Sequence, residues 1–248
     1  MSETCRKGVN KTEPMSEIIK LINIDKKYRN QKVLQNINMT FEKGKIYGII
    51  GPNGAGKTTI FKIISGLAGQ TAGSLVFFDG SMEARDARKR ISFMIENPWL
   101  EMKMSVYKNM KLLSILYDSP EERIAEILKQ VGLDQEADKK AGKLSLGMKQ
   151  RLGIAMALLK NPDMIVLDEP MNGLDPRGMV YMRELFLDLC RERGITIVLS
   201  SHLLHELELI ADVFYLMDRG KILDVKSKEE LSDADNVLER YYMENIEE

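Results

Sequence analysis

The sequence predicts an α/β fold built on a mostly parallel sheet, and three observations carry that expectation. Beyond residue 163, short apolar runs alternate with helical patterns: MIVLD, Arg177 to Arg193, ITIVLS, His202 to Ile210, then VFYLMD. Runs that are apolar throughout mark strands buried on both faces, and strands separated by helices pair in parallel. Upstream, GKIYGII is another such run, and it passes through a glycine-rich loop into TTIFKIISGL, where Ile60, Ile63, Ile64 and Leu67 share one helical face. The composition agrees, since 248 residues at 44% apolar and 29% charged can bury a sizeable core in one to two domains.

In chain order, residues 1–16 are polar and without periodicity, and read as a mobile tail. Met15 heads a second start, MSEIIKL, which leaves residues 1–14 as an extension or a misassigned start. IIKLINI and VLQNINMTF have strand patterns, with Leu34, Ile37, Met39 and Phe41 as a buried face. Between Asn97 and Leu144 the chain turns rich in charge, Met and Leu and shows no convincing strand, so it reads as a helical insertion. Ser119, Pro120, Glu121 and Glu122 form a helix start of cap, first-turn proline and acids at the positive end, and the helix runs through Ile124, Ile127, Leu128 and Val131 to Gly132. Later, Met179, Met182, Leu185, Phe186 and Leu189 repeat at helical spacing before Gly194 stops the helix, and VFYLMD ends at an Arg219-Gly220 turn. The expected layout is one domain over 17–225, with a helical part inserted at about 97–150 and an acidic helix and tail over 226–248.

The charge balance narrows the function classes. With 36 basic and 37 acidic residues the net charge is −1, which argues against a surface built for nucleic-acid backbones or anionic lipid. The longest uncharged stretch, Ile63 to Phe78, is broken by Gly66, Gly69 and Gly73 and falls short of the roughly 20 apolar residues a spanning helix needs. No apolar segment of secretory type follows Met1. Cys5 and Cys190 are too few for a disulfide framework and fit a reducing compartment, so the chain reads as cytoplasmic.

The chemistry starts at Gly51-Pro52-Asn53-Gly54-Ala55-Gly56-Lys57-Thr58, which fits GxxxxGK[ST] and is followed by Thr59. A polyphosphate must be wrapped by backbone N–H groups, and glycines let the main chain approach it closely. The helix beginning near Lys57 aims its positive end at the phosphates, Lys57 supplies a point charge to the β/γ oxygens, and the Thr58 hydroxyl suits magnesium. At an average glycine content, a chance match in a chain this long has odds on the order of one in a hundred. Its place between an apolar strand and an amphipathic helix lowers them further.

The strand MIVLD ends on Asp168 and Glu169. With a phosphate loop in the same chain, Asp168 is expected to orient Mg2+ through its water shell, because that ion keeps its waters and takes few carboxylates. Glu169 is then the base for the attacking water. Ser200-Ser201-His202 follows ITIVL directly, at the carboxyl edge where such sheets bind ligands, which assigns His202 to the γ-phosphate. His205, the other histidine, carries no such assignment.

These residues together resemble the ATP-binding subunit of ABC transporters, over about Ile18 to residue 225. The specific part is Leu144-Ser145-Leu146-Gly147-Met148, which resembles the signature usually written LSGGQ, placed ahead of MIVLDEP, with Gly173-Leu174-Asp175 and His202 beyond. The resemblance implies an antiparallel β portion before the P-loop core and a helical subdomain that contacts membrane subunits, with Trp99, Leu100, Met102 and Met104 as a contact surface. It also implies ATP and Mg2+ as cofactors, Tyr28 stacked on adenine, and a head-to-tail pair of subunits in which each signature faces the partner's ATP. A separate permease is the remaining partner, and it places the chain on the inner face of the membrane.

Two segments depart from the family pattern: in the signature, Leu146 and Met148 stand where a glycine and the glutamine are usual, and Glu96 stands where the Q-loop glutamine is usual. An ionised carboxylate at 96 can hold water or magnesium but only accepts hydrogen bonds. SLGMKQRLGIA and IENP are similar to the exporters of bacitracin resistance and lantibiotic self-immunity. Other classes sharing the loop are a soluble ABC-type ATPase, a GTP switch or small kinase, and a weakly hydrolysing regulatory subunit. The first lacks its paired ATPase halves or coiled coil, and the second its NKxD motif.

Overall fold

The computed structural model describes residues 16–95 and 98–231 together with Leu238, Tyr242 and Met243. The expected N-terminal tail up to residue 15, Glu96 and most of the C-terminal acidic segment lie outside the described residues. Two sheets frame the chain. One is antiparallel, ordered β2-β1-β4, from Glu17–Tyr28 (β1), Gln31–Glu42 (β2) and Ala72–Phe77 (β4). The other is ordered β5-β6-β7-β3-β8-β9, from Ile46–Ile50 (β3), Ile91–Met94 (β5), Met164–Asp168 (β6), Thr196–Ser200 (β7), Val213–Asp218 (β8) and Lys221–Ser227 (β9). Its pairings are parallel except for β9, which runs antiparallel to β8. The helices are Lys57–Ser65 (α1), Ala84–Ala87 (α2), Val106–Leu116 (α3), Glu122–Gln130 (α4), Leu146–Leu158 (α5), Pro176–Arg191 (α6) and Leu204–Ile210 (α7). This is the α/β cassette anticipated above, with its mostly parallel sheet, N-terminal antiparallel sheet and helical region.

The parallel sheet is buried on both faces, and side-chain parity sorts its residues between two cores. Ile46, Ile50, Ile165, Leu167, Ile197 and Leu199 face a core built with α3 to α7. Tyr47, Ile49, Met164, Val166 and Val198 face the core shared with α1 and the antiparallel sheet. Asp168 and Ser200 carry the parity of Val166 and Val198, so the carboxyl ends of β6 and β7 present their polar side chains on the α1 face. That parity is why they meet Thr58.

Several element ends differ from expectation for local reasons. Leu67 is 73% exposed, because α1 stops at Ser65 and Gly66 turns left-handed at φ +81°. Leu34 and Ile37 are both buried although their spacing breaks strand parity: Asn36 sits at φ +51° and the β1–β2 register shifts there. Pro120 opens only a tight first turn, with Arg123 N–H bonded to the Pro120 carbonyl and Ile124 N–H to that of Glu121; α4 proper starts at Glu122. The expected cap fails as well. Ser119 Oγ is buried without a partner among the described residues, while Glu121 is taken by Tyr107 and Lys111. The helix expected from His202 begins at Leu204, since Leu203 N–H bonds Ser201 Oγ in a non-helical conformation. The Arg177–Arg193 helix is Pro176–Arg191, capped by Asp175 and stopped by Gly194 at φ +67°. Strands β4, β5 and β9 have no counterpart among the strands that the sequence pattern predicts. No described helix is long and apolar enough to cross a membrane.

Candidate functional site

The phosphate loop joins β3, near the centre of the parallel sheet, to α1. Its glycines are fixed by the close approach of neighbours. A Cβ on Gly51 would stand 2.1 Å from the Met217 carbonyl oxygen, and Gly56 sits at φ +109° with Leu34 and Met217 packed where a side chain would go. Gly56 is also the N-cap of α1, so no side chain caps that helix and no acid lies in its first turn. Its leading N–H groups therefore face the loop as a ready anion site. The loop from Pro52 to Thr59 lines a cavity of about 360 Å³ with Val33, Asp168 and Glu169.

Lys57 is buried inside this loop and donates to the Gly51 and Pro52 carbonyls at 2.6 and 3.2 Å. Burial pushes its ammonium pKa down, while Glu169 and Asp168 act to raise it. Thr58 Oγ1 donates to Asp168 Oδ2 at 2.6 Å. Glu169 lies between the two remaining groups, with Oε1 4.0 Å from Lys57 Nζ and Oε2 2.9 Å from His202 Nδ1. A carboxylate only accepts, so Nδ1 carries the proton in this pair, and the other ring nitrogen of His202 is left for another contact. Glu169 adopts φ +50°. For a residue with a side chain such a conformation costs roughly 1–3 kcal/mol and persists only where neighbours impose it.

One polar residue at this centre carried no role in the sequence reading. Ser200 is fully buried, donates to Asp168 Oδ1 at 2.5 Å and accepts from Glu169 N–H at 3.0 Å. The only sequence signal for it is position, the last residue of ITIVLS.

The donors fit magnesium with a polyphosphate. Thr58 and Asp168 offer oxygen ligands or partners for bound waters. Among the described residues no group of three or more His, Cys, Asp or Glu side chains could hold a metal alone, so phosphate oxygens and water would complete the shell.

The signature segment lies at a second cavity, of about 520 Å³. Ser145, Leu146, Gly147 and Met148 line it together with Gly173, Leu174 and Asp175. Ser145 is the N-cap of α5 and accepts from Met148 N–H at 3.3 Å, again with no acid in the first turn. Leu144 is buried behind it, and Leu146 is 43% exposed while packing over Gly173. Arg151 anchors the cavity wall, donating to the Val131 and Gly132 carbonyls and stacking on Tyr181. None of these residues lines the cavity of the phosphate loop. Tyr28 lies outside both, at the end of β1, 45% exposed with Lys26 Nζ 4.5 Å from its ring centre.

A third, largely apolar groove of about 360 Å³ opens between β5, α3 and α5, with Pro98, Trp99, Tyr117 and Lys160 among its walls. Trp99 is 80% exposed and Met102 46%, whereas Leu100, expected on the same surface, is buried in the core.

Residues 34–172 match the family model described as ABC transporter. The chain is 43% identical over 206 residues to the lantibiotic transport ATP-binding protein SrtF of Streptococcus pyogenes, covering 83% of this chain and 89% of that one. It is 41% identical over 213 residues to the bacitracin transport ATP-binding protein BcrA of Bacillus licheniformis, covering 85% and 70%. Among solved structures it is similar to cbiO1 of Clostridium perfringens, part of the ABC transporter complex cbiONQ, with TM-score 0.82, 27% identity and coverage of 92% and 95%. It is also similar to a dimeric ATP-binding cassette in a post-hydrolysis state with ADP and Pi, with TM-score 0.75, 26% identity and coverage of 85% and 99%.

Proposed function

The chain belongs to the ABC transporter family, and on that premise we propose that it is an ATP-binding, ATP-hydrolysing motor subunit that drives a separate membrane permease. The observation that carries the hydrolytic reading is the position of Glu169. It sits past the end of β6 at the mouth of the phosphate loop, between Lys57 and His202, with Oε2 bonded to His202 and Oε1 as the oxygen to take a proton from water. The loop backbone and the first turn of α1 bind the phosphates, and Lys57 leaves the Gly51 and Pro52 carbonyls to meet the β/γ oxygens. Thr58 and Asp168 hold the magnesium site, with Glu96 as the additional acidic position. Magnesium held there would neutralise charge on the phosphate oxygens. His202 holds the Glu169 carboxylate through Nδ1 and turns its other nitrogen to the γ-phosphate. Tyr28 offers a half-exposed ring to the adenine.

The second cavity needs a phosphate that its own chain does not deliver, because the signature and the phosphate loop line separate spaces. Two copies paired head to tail satisfy both, and a dimeric cassette among the structural neighbours supports this arrangement. The groove beside Trp99 is the docking face for the permease, which places the subunit on the inner face of the membrane. The transport substrate class is antimicrobial peptide or drug, moved outward, a reading supported by the lantibiotic and bacitracin transport relatives.

The test uses the purified chain with Mg-ATP. Turnover that Lys57→Ala abolishes, with Glu169→Gln retaining ATP and accumulating a dimer, is the expected result. Wild-type turnover no faster than Glu169→Gln would leave a regulatory ATP-binding subunit instead. Recovery from membranes should bring down a polytopic protein; soluble or ribosomal partners alone would refute the transport assignment.

A further inference from the structure

The β6–β7 ladder ends where the chemistry begins. Its last paired residues are Asp168 and Ser200, so the N–H of Glu169, one residue further on, meets no strand carbonyl. The Ser200 hydroxyl takes that place and at the same time donates to the Asp168 carboxylate. Ser200 is fully buried, so water does not substitute for it. Glu169 holds its left-handed φ of +50° at the point where this bond forms.

Thr196, at the start of the same strand, shows what a structural hydroxyl does here. It accepts from Gly44 N–H and donates to the Glu42 carbonyl, tying backbone to backbone. Ser200 instead ties a carboxylate to the peptide of its sequence neighbour. Asp168 is held on its other oxygen by Thr58. When Thr58 turns to a nucleotide-bound metal, Ser200 is the side-chain donor left on Asp168 among the described residues.

We propose that Ser200 is a positioning residue for the hydrolytic step: one hydroxyl fixes the Asp168 carboxylate and the Glu169 peptide, and so aims the Glu169 carboxylate between Lys57 and His202. The inference rests on the reading of Glu169 as the base. It adds that this base is placed from β7, by a hydroxyl buried away from solvent.

Ser200→Ala should lower kcat by about 10- to 100-fold, the range usual for a residue that orients a reactive group, with nucleotide affinity held within about threefold. Ser200→Thr keeps the hydroxyl on a strand-favouring side chain and should restore kcat to within about threefold. In a Glu169→Gln background, Ser200→Ala should add less than about threefold, because both changes disable one unit. Independently of turnover, amide exchange at Glu169 in the nucleotide-free protein should accelerate in Ser200→Ala and return to the wild-type rate in Ser200→Thr. Should the alanine variant fail to fold, Ser200→Cys, with its weak thiol donor, takes the same measurements. Unchanged exchange at Glu169, or a kcat in Ser200→Ala within twofold of wild type, overturns the proposal. So does an undiminished loss in the Glu169→Gln background. Hydrolysis by Glu169→Gln at the wild-type rate refutes the base assignment alone, and the exchange measurement still decides whether Ser200 holds that peptide.

Discussion

At the phosphate loop, the polar side chains are bonded to one another: Thr58 and Ser200 hold the two oxygens of Asp168, and Lys57 and His202 flank Glu169. At the start of α5, the comparable features are a helix N-terminus capped only by its own Ser145, without an acid in its first turn, and the apolar side chains of Leu146 and Met148. The first region is organised before any ligand arrives. The second satisfies one first-turn N–H through Ser145 and presents apolar side chains around it. The difference bears on where each half of the proposed reaction is built: on the head-to-tail reading, bond-making geometry belongs to one chain, whereas the anion contact at α5 would depend on a second molecule. Preorganised polar groups act most strongly where they need not rearrange during reaction, which puts the larger mutational effects at the phosphate loop.

The largest effect expected is Lys57→Ala, which should abolish both turnover and ATP-driven pairing; surviving pairing would show that α5 recognises its partner without phosphate. Next, Glu169→Gln should cost roughly 10²- to 10⁴-fold in kcat, the span of general-base catalysis, with ATP binding retained. At α5, an added Cβ on Gly147 would meet Leu174 Cδ2 at an ordinary 3.4 Å, so there is room for a side chain. Gly147→Ala should therefore stay within about threefold, while Gly147→Asp sets a charge against the incoming phosphate and should lose at least about tenfold in kcat. Equal losses in the two variants would make α5 a packing surface and dissolve the contrast. The smallest effect is assigned to Glu96→Gln, which should leave kcat within a few fold if the carboxylate belongs to this branch of the family. A rise of about a hundredfold would mark the native site as impaired.

Much of this arrangement is legible in the residues themselves. GPNGAGKT between an apolar strand and a helix, and acids ending MIVLD, are local patterns, and local patterns survive folding. The buried runs MIVLD, TIVLS and VFYLMD read as strands because burial on both faces leaves no room for polar alternation. KILDVKS, by contrast, alternates with charge as an edge strand does, and AGSLVF carries glycine and serine in its first half; both pair through register that no short window contains. The role of Ser200 is hidden for the same reason. A serine ending an apolar strand looks like any other until β6 is laid beside β7 and its hydroxyl is found between two acids. The ends of α4 and α7 were set by contacts of Glu121 and Ser201 that a propensity pattern does not hold.

The groove beside α5 carries one more consequence. Trp99 is the chain's single tryptophan, and its side chain stands almost entirely in solvent at that groove, while the phosphate loop and the signature are lined without any. Its emission is therefore an optical channel for whatever settles against β5 and α3, blue-shifting as the indole leaves water. Mechanical engagement with a partner can be timed on the unlabelled protein, separately from a nucleotide signal read at the tyrosine of β1.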